Sequence, residues 1–170
     1  MAQINKSGVE VQIEETTSMA VIHDLAHAIW YPTYQSILSK EQIEYMLEQI
    51  YAVPSLEKQL VEGQVFLLLE ENRQPVAFAA FSLLEQDEKV YKLNKIYIHP
   101  AKQGNGYGEL LLAEVIKRCI AEGGKILELN VHRENPARHF YQKKGFTIHQ
   151  TVDIPFGPFT LNDYVMRRPL

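Results

Sequence analysis

The chain predicts one layered domain of mixed α/β class. Its 170 residues are the length of a single domain, 1–170, and a chain of that size buries roughly 70% of its extended surface. Strand-like and helix-like patterns alternate along it without a fixed repeat, so a regular doubly wound sheet is not expected. Hydrophobic residues make up 46% and charged residues 22%, an ordinary globular balance that leaves no room for a disordered tail.

Val9–Glu14 alternates with period two and reads as a half-exposed strand. Thr17 or Ser18 is placed to cap a helix with Met19, Ile22, Ala26 and Ile29 on one side, expected to stop before Pro32. Ser39-Lys40-Glu41-Gln42 fits a capping box, and Ile43, Met46, Leu47 and Ile50 follow at helical spacing. Pro54 is expected to interrupt that helix, and Ser55 to cap a short one ending near Gly63. Val65–Glu70 and Val76–Leu84 flank a polar turn and predict an antiparallel hairpin; Lys89–Ile98 is the fourth strand. A glycine-rich loop leads into a helix from about Gly106 to Glu122, stopped by Gly123-Gly124. Ile126–Val131 is the fifth strand, Asn135-Pro136 opens a helix ended by Gly145, and Phe146–Asp153 and Phe159–Arg167 form the last two strands.

Several functions are disfavoured at once. The 17 Lys+Arg against 21 Asp+Glu give a net charge of −4, with no basic run, so duplex nucleic acid is not an expected partner. No apolar run approaches the ~18 residues of a membrane span. The start has no stretch of signal-peptide length, so no membrane association and a cytoplasmic location are expected. One cysteine, Cys119, excludes an internal disulfide and a cysteine-built zinc site.

The most informative segment is Tyr97-Ile98-His99-Pro100-Ala101-Lys102-Gln103-Gly104-Asn105-Gly106-Tyr107-Gly108. A strand runs into alternating glycines, and the loop opens into an amphipathic helix. Glycines let main-chain N–H groups converge and a ligand approach closely. The helix start adds unpaired donors and about half a positive charge. Together they make a site for phosphate oxygens. The spacing does not fit G-x-G-x-x-G, because Glu109 and Leu111 fall where its last glycine belongs. A Walker loop is excluded, since Gly-Lys-Ser/Thr is absent from the chain. Gln-x-x-Gly-x-Gly does fit, at Gln103, Gly106 and Gly108.

With Asn135…Tyr141…Gly145-Phe146 following a helix and a strand later, the chain resembles the GNAT superfamily of acyl-CoA-dependent N-acyltransferases. The resemblance runs from about Ile13 to Arg167. It implies a central mixed, mostly antiparallel sheet of about seven strands flanked by helices, with a wedge between strands four and five. It further implies that main-chain groups of Ile96, Tyr97 and Ile98 bond the pantetheine arm of acetyl-CoA, the acyl donor. Amides of Gln103, Gly104, Asn105, Gly106, Tyr107 and Gly108 would hold its pyrophosphate. Asn135 would bond the pantetheine through its side chain, and Tyr141 would sit near the thioester sulfur. Lys102, Lys143 and Lys144 are near enough in sequence to assist with phosphate.

Acetyl transfer to an amine needs a neutral amine, a stabilised oxyanion and a protonated leaving thiolate. Deprotonating an amine of pKa about 10.4 at pH 7 costs roughly 4.6 kcal/mol, so a base or proton wire is worth having. Tyr141 is the expected acid, because a phenol of ordinary pKa ~10 holds a proton to donate. The base is left open. On the fourth strand Lys92 and Asn94 alternate with apolar neighbours; some family members carry an acidic residue in this stretch, and this chain does not. A water relay through Asn94 or Glu85 is the alternative, although ordinary strand polarity explains both. Cys119 shares a helical face with Leu111, Leu112, Val115 and Ile116, which marks it as core and favours direct transfer in a ternary complex. His23 and His27 are four apart, but H-D-L-A-H lacks the glutamate of a zinc helix, and no metal is expected. Trp30, Tyr31, Tyr34, Phe156 and Phe159 are candidates for the acceptor pocket, with Glu41 or Glu44 to attract a cation.

The expected activity is therefore acetyl-CoA-dependent N-acetylation of a primary amine on a small molecule, polyamine or peptide, with homodimerisation left open. The rival reading is a non-catalytic acyl-CoA sensor of the same fold, which the presence of Tyr141 disfavours. A nucleotide-dependent kinase is disfavoured by the missing Walker lysine.

Overall fold

The alternating segments pair into one sheet and the periodic ones pack on its two faces. The structure, a computed structural model, describes residues 3–4 and 8–170. Its strands are β1 (Gln3–Ile4), β2 (Glu10–Thr16), β3 (Val65–Glu71), β4 (Gln74–Glu85), β5 (Val90–Ile98), β6 (Ile126–His132), β7 (Thr147–Phe156) and β8 (Phe159–Pro169). Its helices are α1 (Met19–Tyr34), α2 (Lys40–Tyr51), α3 (Val53–Val61), α4 (Tyr107–Ala121) and α5 (Ala137–Lys143). The two-residue β1 adds an eighth strand to the seven expected, so the fourth and fifth strands of the sequence are β5 and β6. The sheet order is β1-β2-β3-β4-β5-β6-β8-β7.

Every neighbouring pair is antiparallel except β5 and β6, which run parallel and pair only from Val90↔Ile126 to Leu93↔Leu129. Beyond Leu93 the two strands part. β5 follows β4 as far as Ala77↔Ile98, and β6 follows β8 as far as His132↔Asp163. A bulge sits at the point of divergence: Phe81 pairs Leu93 and Ala80 pairs Lys95, leaving Asn94 over. Bulges raise the local twist and re-aim side chains. Here the Asn94 amide donates to Ser82 Oγ at 2.9 Å, satisfying the extra residue. The expected wedge is this opening.

One face carries α4 and α5 over a core that includes Leu67, Leu111, Val115, Cys119 and Phe146. The other carries α1, α2 and α3 over Ile22, Ile43, Phe66 and Phe78. Among the described residues, no helix is long and apolar enough to cross a membrane.

Local chemistry departs from expectation at four places. Helix α1 does not stop before Pro32 but continues to Tyr34 with the proline inside its last turn. So late in the helix the proline forfeits only its own N–H bond. Gln35 N still donates to Tyr31 O at 2.9 Å, and Thr33 Oγ1 to Ile29 O at 2.7 Å. Ser18 occupies the N-cap position of α1, yet its side chain makes no capping bond. Helix α3 starts at Val53 with Pro54 in its first turn, where a missing N–H costs nothing, so Ser55 lies inside and caps nothing. The β3–β4 turn is two residues, Asn72 and Arg73, both at positive φ (49° and 65°), the geometry that matches strand twist in tight hairpins. The Ser39 cap is present, accepting from Gln42 N at 3.1 Å.

Candidate active site

The wedge opens into a cavity of about 1020 Å³ that runs from the glycine loop to the inner side of α1 and α2. At one end, Gly104 (φ 84°) and Gly106 (φ 80°) adopt the left-handed region, and a Cβ on either would point into open space. Gly106 is the N-cap of α4, so the N–H groups of the next turn are offered outward with the positive end of the helix dipole. The loop is held from β3. Glu71 accepts from Lys102 Nζ at 2.7 Å and from the Tyr107 hydroxyl at 2.5 Å. Those two bonds hold the Glu71 carboxyl below its ordinary pKa. Burial, seconded by the bond to Glu71, pushes the Tyr107 phenol up to about 12. Gln103 Nε2 donates to Ile98 O at 3.4 Å, and Asn105 Nδ2 to Lys102 O at 2.9 Å. The open space at both glycines and the helix start leave this end of the cavity accessible to an anion.

Ile96, Tyr97 and Ile98 line the same cavity on the stretch of β5 that β6 has left. Their pairing to β4 continues, so the edge facing β6 offers alternate main-chain groups to a ligand. Across the wedge, Asn135 is 8% exposed. Its Oδ1 accepts from Ala137 N at 2.9 Å, which starts α5 and turns the amide NH₂ towards the cavity side where Tyr34 lies. Tyr141, on α5, is also 8% exposed and rests edge-on against Phe140 and Phe146 at 5.5 and 5.8 Å. Burial, with the nearby Tyr34, holds its phenol well above its ordinary pKa, so it is a proton donor at neutral pH. Tyr34 shares a hydrogen bond with Tyr97 at 2.9 Å. Trp30 lies tilted at 4.5 Å from Tyr34 and edge-on to Tyr51 at 5.4 Å, with its indole Nε1 buried.

Two charged side chains enter the cavity that the sequence did not single out. Asp163, on β8, is half-buried and has Asn130 Nδ2 at 3.5 Å. Burial raises its carboxyl above the ordinary value, opposed by Asn130, His132, Lys92 and Arg133. Lys95, just past the bulge, is 6% exposed, and its Nζ donates to Gln59 Oε1 at 2.5 Å and Gln64 Oε1 at 2.7 Å. Burial, then repulsion from Lys92, lowers it to about 7. The available signal for Lys95 was a change of parity: Tyr91 and Leu93 are apolar at odd positions, Ile96 and Ile98 at even ones. Asp163 carried no local signal; the β6–β8 register brings it opposite His132.

Other expected residues lie elsewhere. Tyr31 lines a separate shallow pocket with His23 and His27, and its hydroxyl donates to Glu44 at 3.2 Å. Phe156 and Phe159 pack around Tyr45 at 5.7 and 5.5 Å. Glu85 accepts from Asp87 N and Glu88 N in the β4–β5 turn. Lys144 pairs with Glu109 at 2.6 Å, which ties it down beside the loop. Cys119 is fully buried and burial pushes its thiol up to about 12, the setting of an inert core cysteine. His23 Nδ1 is 2.7 Å from Tyr51 O and His27 Nδ1 2.8 Å from His23 O, so each histidine has a main-chain partner. Among the described residues, no group of three His, Cys, Asp or Glu could hold a metal.

Comparison with known proteins agrees with this geometry. The model of the Acetyltransferase (GNAT) family matches residues 20–146. The chain is similar to the [ribosomal protein bS18]-alanine N-acetyltransferase of Haemophilus influenzae, 32% identical over 110 residues, covering 62% of this chain and 73% of that protein. In fold it is similar to the PaiA N-acetyltransferase of Thermoplasma acidophilum in complex with coenzyme A. The TM-score is 0.81 at 23% identity, over 94% of this chain and 99% of that one. It is likewise similar to the ribosomal-protein-S18-alanine N-acetyltransferase of Escherichia coli, with TM-score 0.71 and 17% identity over 94% and 93% of the two chains. With the family model spanning the wedge, the glycine loop and Tyr141, the chain belongs to the GNAT family of acetyltransferases.

Proposed function

We propose that the chain transfers an acetyl group from acetyl-CoA to the nitrogen of a primary amine, with both substrates bound together in the wedge. The observation that carries this reading is the parting of β5 from β6, with an anion cradle at one end and Tyr141 at the other side. Main-chain groups of Ile96, Tyr97 and Ile98 receive the pantetheine arm as an added strand. Amides from Gln103 to Gly108 hold the pyrophosphate, and the side-chain NH₂ of Asn135 bonds the pantetheine. The bound thioester supplies an activated carbonyl carbon. The amine nitrogen attacks it, the carbon–sulfur bond breaks, and Tyr141 donates its proton to the departing sulfur.

Asp163 takes the proton that the amine must lose, and is the base absent from the fourth strand of the sequence. Its pKa, raised by burial, brings a carboxylate closer to the amine it must deprotonate. Trp30, Tyr34 and Asn94 line the acceptor half of the cavity. Support comes from structural neighbours that carry coenzyme A or acetyl-CoA and from the relative named for acetylating an alanine.

Calorimetric titration with acetyl-CoA, with ATP and NAD as controls, tests the donor. Tight binding of acetyl-CoA alone is expected, followed by amine-dependent thiol release. Binding without release from any amine leaves the sensor reading; absence of binding defeats both.

A further inference from the structure

Lys95 is a buried amine for whose charged form the fold has provided no counter-charge. Among the described residues, neither Lys95 nor Lys92 belongs to any ion pair, yet both line the acceptor cavity. The orientation of one Lys95 partner is fixed: Gln59 Nε2 donates to Ile50 O at 2.8 Å, so its Oε1 faces the lysine. Two amide oxygens satisfy two N–H groups of Nζ; an ammonium has a third. The remaining surroundings are the rings of Tyr51 and Phe66, 5.9 and 5.3 Å from Nζ. Facing it from α2 is Tyr51, from α3 Gln59, from the α3–β3 connection Gln64, from β3 Phe66, and along β5 Lys92. None of these is a carboxylate. A buried ammonium without a counter-ion is costly, and a second lysine beside it raises the cost.

Asp163, on β8, lines the same cavity, with Tyr34 near it and Tyr141 near Tyr34. The cavity therefore holds a carboxyl group, Asp163, near Tyr34 and an amine, Lys95, beside Tyr51, with Lys92 acting on both. We propose that Lys95, with Lys92, forms an anion subsite for the acceptor, and that the acceptor is an amine that also carries a carboxylate-type acidic group at its far end. This rests on the acetyltransferase reading above and deepens it. The acidic oxygen takes the third N–H of Lys95 and supplies the missing charge; the amine end reaches Asp163 and the thioester.

The test uses straight-chain ω-amino acids of increasing length, each compared with the n-alkylamine of the same length, in the thiol-release assay. At the length that spans the cavity, the acid partner is expected to have a kcat/KM about tenfold or more above its amine, the scale of one charge-assisted hydrogen bond. In Lys95→Met and in Lys92→Met that ratio falls towards one. Lys92→Met keeps the test valid should Lys95→Met fail to fold, and acetyl-CoA affinity reports folding in both. Calorimetry of the CoA-loaded protein at pH 8 with the same acids adds a second readout. Because a bound anion raises the Lys95 pKa from about 7, binding takes up a proton, seen as a buffer-dependent heat that Lys95→Met abolishes. Acetylation without preference for the acids, or CoA binding with no heat from any of them, overturns the anion subsite alone. Failure to bind acetyl-CoA overturns the acetyltransferase reading and the subsite with it.

Discussion

On the proposed mechanism, Tyr141 and Asp163 divide the proton traffic between an acid and a base whose environments push them in useful directions. The phenol is raised by burial and keeps its proton; the carboxyl is raised by burial, opposed by Asn130, His132, Lys92 and Arg133. Tyr141→Phe removes only the donated proton. A fall in kcat of about 10–1000-fold, with acetyl-CoA affinity nearly unchanged, is expected; equal kcat in the two proteins would leave Tyr141 as packing against Phe140. Asp163→Asn removes the acceptor of the proton. Its kcat/KM is expected to drop by about 10²-fold or more, and the acid limb of the pH profile that tracks the Asp163 carboxyl is lost. A profile unchanged in shape would assign the base elsewhere. Tyr141 was legible in the sequence because its motif is local. Asp163 was not, because its place depends on which residue of β8 falls opposite His132, and no short-range pattern encodes a register.

The elements that build the site are short departures from regularity. The bulge at Asn94 was written in the sequence as a shift of apolar parity between Leu93 and Ile96, but a plain alternating strand was the simpler reading, and it hid Lys95. The glycine loop was legible because left-handed positions and a helix start need particular residues at fixed spacing. Gly106→Glu tests it. At φ 80° any side chain is strained, and a carboxylate there fills and charges the anion cradle. Loss of acetyl-CoA binding with a folded protein is the expected result; unchanged affinity would reduce the loop to a connection. Pro32 tests a different element. Inside the last turn of α1 it leaves one carbonyl without its helical donor, so Pro32→Ala restores that bond. The gain is partly offset by the freer unfolded chain. A net rise of about 1 kcal/mol in unfolding free energy is expected by urea titration, and a loss would mean that the ring's contacts on the cavity wall outweigh the bond.

At the scale of the whole molecule, the same buried groups that equip the cavity set how stability varies with pH. Lys95 titrates at 10.5 when unfolded and at about 7 when folded. Between those values the unfolded chain binds the extra proton, so stability rises with pH across that window. Cys119 and the buried tyrosines act oppositely. The thiol, ordinarily at 9.0, is held at about 12, and the phenols of Tyr34, Tyr51, Tyr97 and Tyr141, ordinarily at 10.0, are raised by burial. Their stability contribution is complete below 9 and is lost as the solution becomes more alkaline. The carboxylates held low, at Glu71, Glu85 and Asp153, act only at acid pH. Stability is therefore expected to climb from pH 7, to peak near pH 9 and to decline beyond it, with an acid-side rise on the order of a few kcal/mol. Lys95→Met removes the group responsible. Urea midpoints measured from pH 6 to 9 should rise in the parent protein and stay flat in the variant. Parallel curves would show that the lysine keeps its charge in the folded cavity, as it would if the fold supplied a counter-ion of its own.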